Sequence, residues 1–227
     1  MEIDYSKATR LFDGVEREVT PDDISEIIQS FLAVEYIYLS ATREISTKLE
    51  ILNDEFKITM DRNPIQQIIT RVKTPKDIIK KLIRKGYAID IKSAREKLND
   101  IGGVRIICSY IDDIYMIAQL LMAQDDIELL LKVDYIKNPK SNGYRSLHLV
   151  VTVPVFLSRC TERVKVEIQI RTIAMDFWAS LEHDLVYKLA EGKTDKMVKE
   201  LRDCADVIAQ TDIRMQNLHK LITSMQD

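Results

Sequence analysis

Residues 162–172, ERVKVEIQIRT, alternate without a slip: Val164, Val166, Ile168 and Ile170 share one face, and Lys165, Glu167, Gln169 and Arg171 share the other. A period of two predicts a β-strand with one buried side. The run RSLHLVVTVPVFL (145–157) precedes it across a short polar link, so the two form a predicted hairpin. GGVRIICSY (102–110) and IELLLKVDYI (127–136) are rich in aliphatic and β-branched residues and predict two further strands.

Elsewhere the apolar spacing is helical. No Gly or Pro lies between Pro21 and Pro64, and Ile24, Ile28, Phe31, Val34, Tyr38, Ala41, Ile45, Leu49, Leu52 and Phe56 recur at intervals of three and four. This predicts one long helix, or two, starting at a Thr20 cap with Pro21 in the first turn. Thr74-Pro75 repeats that start signal for a helix that stops at Gly86. Helices are also predicted over 93–98, 112–124, 173–189 and 195–223. The order is helices, then a mixed central sheet of about five strands, then helices, which is an α+β fold. It divides into an N-terminal helical extension (1–60), a core (61–192) and a C-terminal helix (193–227).

Composition narrows the class. The 227 residues are 46% hydrophobic and 30% charged, as in soluble globular proteins. No apolar run approaches the ~20 residues of a membrane span. The first residues, MEIDYSKATRLFDG, carry no apolar signal core, and Cys108, Cys160 and Cys204 are scattered and odd in number. We therefore expect a cytoplasmic protein with reduced thiols and no membrane partner. No Cys/His cluster has zinc spacing.

A net charge of −3 does not announce DNA or RNA, and no DNA partner is expected. Locally the picture differs. RVKTPKDIIKKLIRK (71–85) holds seven basic residues and one acidic residue. Such a run is either a solvated helix face or a cradle for polyphosphate. Lys81 and Arg84, three apart, share a helical face, leaving Ile78, Ile79, Leu82 and Ile83 for the core.

Four pieces carry candidate chemistry: this basic segment with Arg71 and Lys73; NDIGGVR, with Asp100 before a glycine pair and Arg105 after it; NGYRSLH, with Tyr144 and His148; and the alternating strand with Glu167 at its centre. In an extended strand Tyr144 and His148 would lie about 13 Å apart. Phosphoryl transfer uses this mixture. Carboxylates bind Mg²⁺, basic residues neutralise the transferred group, and an aromatic ring stacks on a base. The lysines of PKSNGYRS and its lead-in, Lys137 and Lys140, either touch phosphates or simply solvate a turn. No Walker A motif, Gly-x-Gly-x-x-Gly, Gly-x-Ser-x-Gly or Asp-x-Asp nucleotidyltransferase pair is present. Asp112-Asp113 and Asp125-Asp126 flank a helix, where solvation and capping account for them. Phe177 and Trp178 read as helix-packing aromatics, and His183 as structural or surface.

RVKTPKDIIKKLIRKG, DIGGVRIICSYIDDIY, NGYRSLHLVV and EIQIRTIAMDFWASLEH closely resemble the synthetase domain of RelA/SpoT-type (p)ppGpp synthetases. The resemblance covers about residues 60–190, and the short chain looks like a stand-alone small alarmone synthetase, nearer the RelP than the RelQ branch. It implies a nucleotidyltransferase-like sheet between helices, and transfer of the β,γ-pyrophosphate of ATP to the 3′-hydroxyl of GDP or GTP with release of AMP. By that resemblance Asp100 and Glu167 hold Mg²⁺, with Glu167 also the base. Arg71, Lys73, Lys81, Arg84 and Arg105 bind ATP. Tyr144 stacks on guanine, and Lys137, Lys140, His148, Lys165, Gln169 and Arg171 belong to the GDP/GTP side. It further implies a homotetramer built through the terminal helices. Long members carry Arg-x-Lys-Asp where this chain has Leu131-Lys132-Val133-Asp134, and no hydrolase His-Asp site is legible. The expectation is synthesis without hydrolysis. A non-catalytic nucleotide- or RNA-binding module on the same sheet is the competing reading, and a helical scaffold with an incidental sheet is a third.

Overall fold

The computed structural model describes residues 21–188 and 195–225. Elements follow in the order α1 (Pro21–Thr59), β1 (Ile65–Val72), α2 (Pro75–Lys85), α3 (Ile91–Lys97), β2 (Gly102–Cys108), α4 (Ile111–Met122), β3 (Glu128–Asp134), β4 (Leu147–Phe156), β5 (Thr161–Thr172), α5 (Ile173–Lys188) and α6 (Asp195–Thr223). The fold is the expected α+β type with a mixed five-stranded sheet in the order β1-β2-β5-β4-β3. β2 and β5 run parallel, and every other pairing is antiparallel. The predicted β4–β5 hairpin forms, paired from Leu147 opposite Ile170 to Phe156 opposite Thr161.

Alternation along β5 sets the layers. Val164, Val166, Ile168 and Ile170 join one buried cluster with Tyr38, Ala41, Ile45 and Leu49 of α1 and Ile114, Ile117 and Leu121 of α4. Each fully buried aliphatic side chain of this kind contributes about 1.5–3 kcal/mol. α1, assigned by sequence to an N-terminal extension, thus supplies part of the core beneath the sheet. The opposite face of β5 carries the polar row.

Several helix ends follow from local chemistry. Thr74 caps α2 by accepting from Asp77 N, with Pro75 in the first turn. Gly86 ends it at φ 68°, where Tyr87 N donates to Leu82 O and Gly86 N to Ile83 O. Of the four apolar residues expected to face inward from α2, Ile78 and Leu82 are buried. Ile83 is 50% exposed because it lies on the helix's outer side.

Three readings need correction. The segment IQQIITRV, to which the sequence pattern assigned no element, is strand β1. It is an edge strand paired on one side, with Ile65 its one buried residue and no alternating pattern of burial along it. Residues 144–146 lie outside β4, which starts at Leu147, so Tyr144 and His148 do not stand apart along one strand. Asp113, read as capping and solvation, does cap α4, but it is also buried and paired with both terminal nitrogens of Arg62.

Candidate active site

Pairing across the sheet collects the site. Arg71 of β1 lies opposite Gly103 of β2, which lies opposite Glu167 of β5. One step along, Arg105 is level with Gln169, and Gln169 with His148. Gly103 leaves room for Arg71: a Cβ on it would stand 3.3 Å from Arg71 Nε, close enough that the arginine would have to shift. A cleft of about 180 Å³ opens over this row, lined by Ile69, Arg71, Gly103, Val104, Arg105, Glu167 and Gln169. Beside it a wider cleft of about 800 Å³ is lined by Arg71, Lys73, Lys80, Lys81, Arg84 and Asp100 among others. Arg71 borders both.

The Glu167 carboxylate has a partner group at each oxygen. Gln169 Nε2 donates to Oε2 at 2.9 Å, and His148 Nδ1 faces Oε1 at 3.6 Å. Arg71 lies 3.7 Å from Oε2. Burial works to raise its pKa and the charge of Asp100 adds to that, yet His148 and Gln169 outweigh both and hold the carboxyl below its usual range. Asp100 is therefore within electrostatic reach of Glu167. Its own Oδ2 accepts from Lys81 Nζ and, at 3.0 Å, Lys73 Nζ. Burial would raise Asp100 too, but the two lysines more than offset it and leave the carboxyl lowered. Asp100 Oδ1 is buried without a hydrogen-bond partner. An ionised oxygen in that state, with a second carboxylate within electrostatic reach, suits a hard divalent cation.

A second group of side chains forms the far wall. Tyr144 Oη lies 2.8 Å from His148 Nε2 and accepts from Arg171 Nη2. Arg171 also donates to Gln169 Oε1 at 3.0 Å and to Asp176 Oδ1 at 3.0 Å. Lys140 Nζ lies 4.6 Å from the centre of the Tyr144 ring and 4.7 Å from that of Tyr135. Tyr135 meets His148 edge-on at 5.2 Å.

Not every sequence-predicted residue joins these contacts. Lys165 points to the end of α3, donating to Glu96 O at 2.9 Å and Asn99 Oδ1 at 3.3 Å. Lys137 lies over Tyr115 of α4 at 5.5 Å. Arg84 is exposed on the rim of the wider cleft. Trp178 is buried and donates to Leu201 O, as packing required, while Phe177 is 57% exposed. The side chain of His183 lies outside the described residues.

Two residues escaped the sequence reading. Asp176, in the first turn of α5, accepts from Arg105 Nη1 at 3.3 Å as well as from Arg171. It offsets part of the effect of burial and of the like charges of Arg171 and Arg71, which together lower the Arg105 pKa. A lone Asp in a helical run gives no hint of two arginines from separate strands. Tyr135, just past β3, was read as strand residue only.

These clefts combine two carboxylates, a row of cations and an aromatic wall. A family model described as a region found in RelA/SpoT proteins matches residues 70–192. The chain belongs to the RelA/SpoT family. Among RelA/SpoT relatives, GTP pyrophosphokinase YwaC of Bacillus subtilis is 42% identical over 199 residues, covering 88% of this chain and 95% of that protein. GTP pyrophosphokinase YjbM of the same organism is 34% identical over 189 residues, covering 83% and 88%. The crystal structure of small alarmone synthetase 1 from Bacillus subtilis bound to its product pppGpp superposes with a TM-score of 0.79 at 32% identity, over 86% of this chain and 99% of that one. Small alarmone synthetase 2 from the same organism superposes with a TM-score of 0.74 at 43% identity, over 82% and 96%.

Proposed function

We propose that this RelA/SpoT chain is a GTP pyrophosphokinase. It moves the β,γ-pyrophosphate of ATP onto the 3′-hydroxyl of GDP or GTP, yielding (p)ppGpp and AMP. The observation that carries the reading is the junction at Arg71: the cleft around Glu167 and the wider cleft around Asp100 share this one cation. A donor triphosphate on the lysine side would then present its terminal phosphates to an acceptor over β5.

Lys73, Lys81 and Arg84 offer charge to the donor phosphates, and Arg71 and Arg105 to the group in transit. Glu167, kept ionised, takes the proton from the attacking hydroxyl. Tyr144, with His148, Gln169, Arg171 and Lys140 around it, forms the guanosine side. Asp100 and Glu167 would hold Mg²⁺, which when bound neutralises charge on the phosphate oxygens.

The reading includes synthesis without hydrolysis, a place in the stringent response and a cytoplasmic setting. It also includes assembly as a homotetramer, which the exposed Val207, Ile213, Leu218, Leu221 and Ile222 of α6 support. No helix among the described residues is long and apolar enough to cross a membrane.

The test is a Glu167→Gln variant compared with the wild type in ATP, Mg²⁺ and GDP or GTP. The wild type should form AMP and a 3′-pyrophosphorylated guanosine nucleotide. The variant should bind both nucleotides and turn over at least about 10²-fold more slowly. Undiminished turnover in the variant would remove Glu167 from the mechanism. Tight, salt-sensitive nucleotide binding with no product from the wild type would favour the non-catalytic module.

A further inference from the structure

We infer that the hydroxyl of Tyr144, as distinct from its ring, is a positioning group for Glu167 and acts through His148. The inference rests on the pyrophosphokinase reading and deepens it.

Five polar side chains close a ring on this face of the sheet. Glu167 Oε2 accepts from Gln169 Nε2, Gln169 Oε1 accepts from Arg171 Nη2, Arg171 Nη2 also donates to Tyr144 Oη, Tyr144 Oη meets His148 Nε2, and His148 Nδ1 faces Glu167 Oε1. Donor accounting fixes the hydrogens. A guanidinium only donates, so Arg171 occupies a lone pair of the Tyr144 oxygen. The tyrosine's own proton then goes to His148 Nε2, 2.8 Å away. With that nitrogen accepting the tyrosine's proton, the neutral imidazole carries its hydrogen on Nδ1. Nδ1 is the atom aimed at Glu167.

The 3.6 Å separation is longer than a hydrogen bond. Such contacts in a ligand-free site commonly shorten when substrate arrives. Gln169 already holds one oxygen, and a shortened His148 contact on the other would keep the carboxylate from swinging away from the attacking hydroxyl. Arg171 is only 4% exposed and donates to Asp176 as well, so the ring is braced from α5. The Tyr144 ring lies under Lys140 and Arg171, at 4.6 and 5.0 Å, and the oxygen at its edge does different work from the ring.

Tyr144→Phe separates the two. The phenyl ring should hold the guanosine nucleotide with KM within about twofold of the wild type, while kcat falls about ten- to a hundredfold from the looser carboxylate. An unchanged kcat would overturn the inference, and so would a rise in KM with kcat retained. A second measurement does not depend on turnover. Nitrogen NMR of the wild type, at a pH where the imidazoles are neutral, should show His148 protonated on Nδ1, its signals identified by their loss in His148→Gln. Protonation on Nε2 would overturn the inference whatever the enzyme makes. Absence of product from the wild type with the Nδ1 form present would strike the pyrophosphokinase reading and leave the hydrogen-bond ring standing.

Discussion

Gly143 is the position at which the guanosine-side loop is clamped to the last helix. Its φ is 90°, and a methyl group on it would stand 2.5 Å from Ala205 Cβ of α6. Gly143→Ala therefore incurs two separable costs. Left-handed backbone strain in a residue with a Cβ is worth about 1–3 kcal/mol. Overlap with Ala205 adds about 1–3 kcal/mol unless the loop moves. Ala205→Gly removes the second cost and leaves the first, while itself costing about 1 kcal/mol as a helical glycine. Urea unfolding of the wild type, both single variants and the double variant forms a cycle. Its coupling energy should recover the overlap, about 1–3 kcal/mol in favour of the double variant. Tyr144 is the next residue, so Gly143→Ala should also raise KM for the guanosine nucleotide more than for ATP. Effects that add to within about 0.5 kcal/mol would show that the loop and α6 are not in the contact described.

Arg62→Ala should be costly for a residue outside the hydrophobic cluster. It strands Asp113, whose side chain is 3% exposed, with only the Tyr110 N–H and its own cap role for support. A loss of about 3 kcal/mol in urea unfolding is expected, the low end for a broken buried pair because Arg62 is itself partly exposed. Asp212→Asn should act in the opposite direction. Burial raises the Asp212 carboxyl above its unfolded value, with Thr172 only partly offsetting it. Its ionised form therefore opposes folding at neutral pH. That penalty fades as pH falls through the raised folded-state pKa toward the unfolded one. The variant should unfold at higher urea than the wild type at pH 7, and the gap should narrow in acid.

The parts of this molecule that were legible in sequence are those where one period decides the structure. β5 alternates because one face meets α1 and α4 and the other lines the cleft, so Glu167 and Gln169 could be set on the polar face from alternation, their place in the site coming from the resemblance. α2 was framed by Thr74, Pro75 and Gly86, each with a local physical role. β1 was not legible because an edge strand with Gln66, Gln67 and Arg71 exposed has no second neighbour to impose a pattern. Lys165 shares the polar face of β5 with Glu167, but alternation says nothing of position along the strand. Two residues earlier, its neighbour is the end of α3 rather than the cleft. Asp176 and the His148–Tyr144 contact depend on which loop meets which helix, and no spacing encodes that.

The central claim is that Asp100 and Glu167 act as one charged unit beside the lysines and arginines of two adjoining clefts. The most direct measurement follows ATP labelled at its γ-phosphate with unlabelled GDP or GTP and Mg²⁺, in the wild type and in Asp100→Asn. The wild type should carry the label onto the guanosine nucleotide in step with AMP, and Asp100→Asn should lose that transfer while keeping its fold. Label appearing only as free phosphate, or transfer undiminished in the variant, would contradict the account.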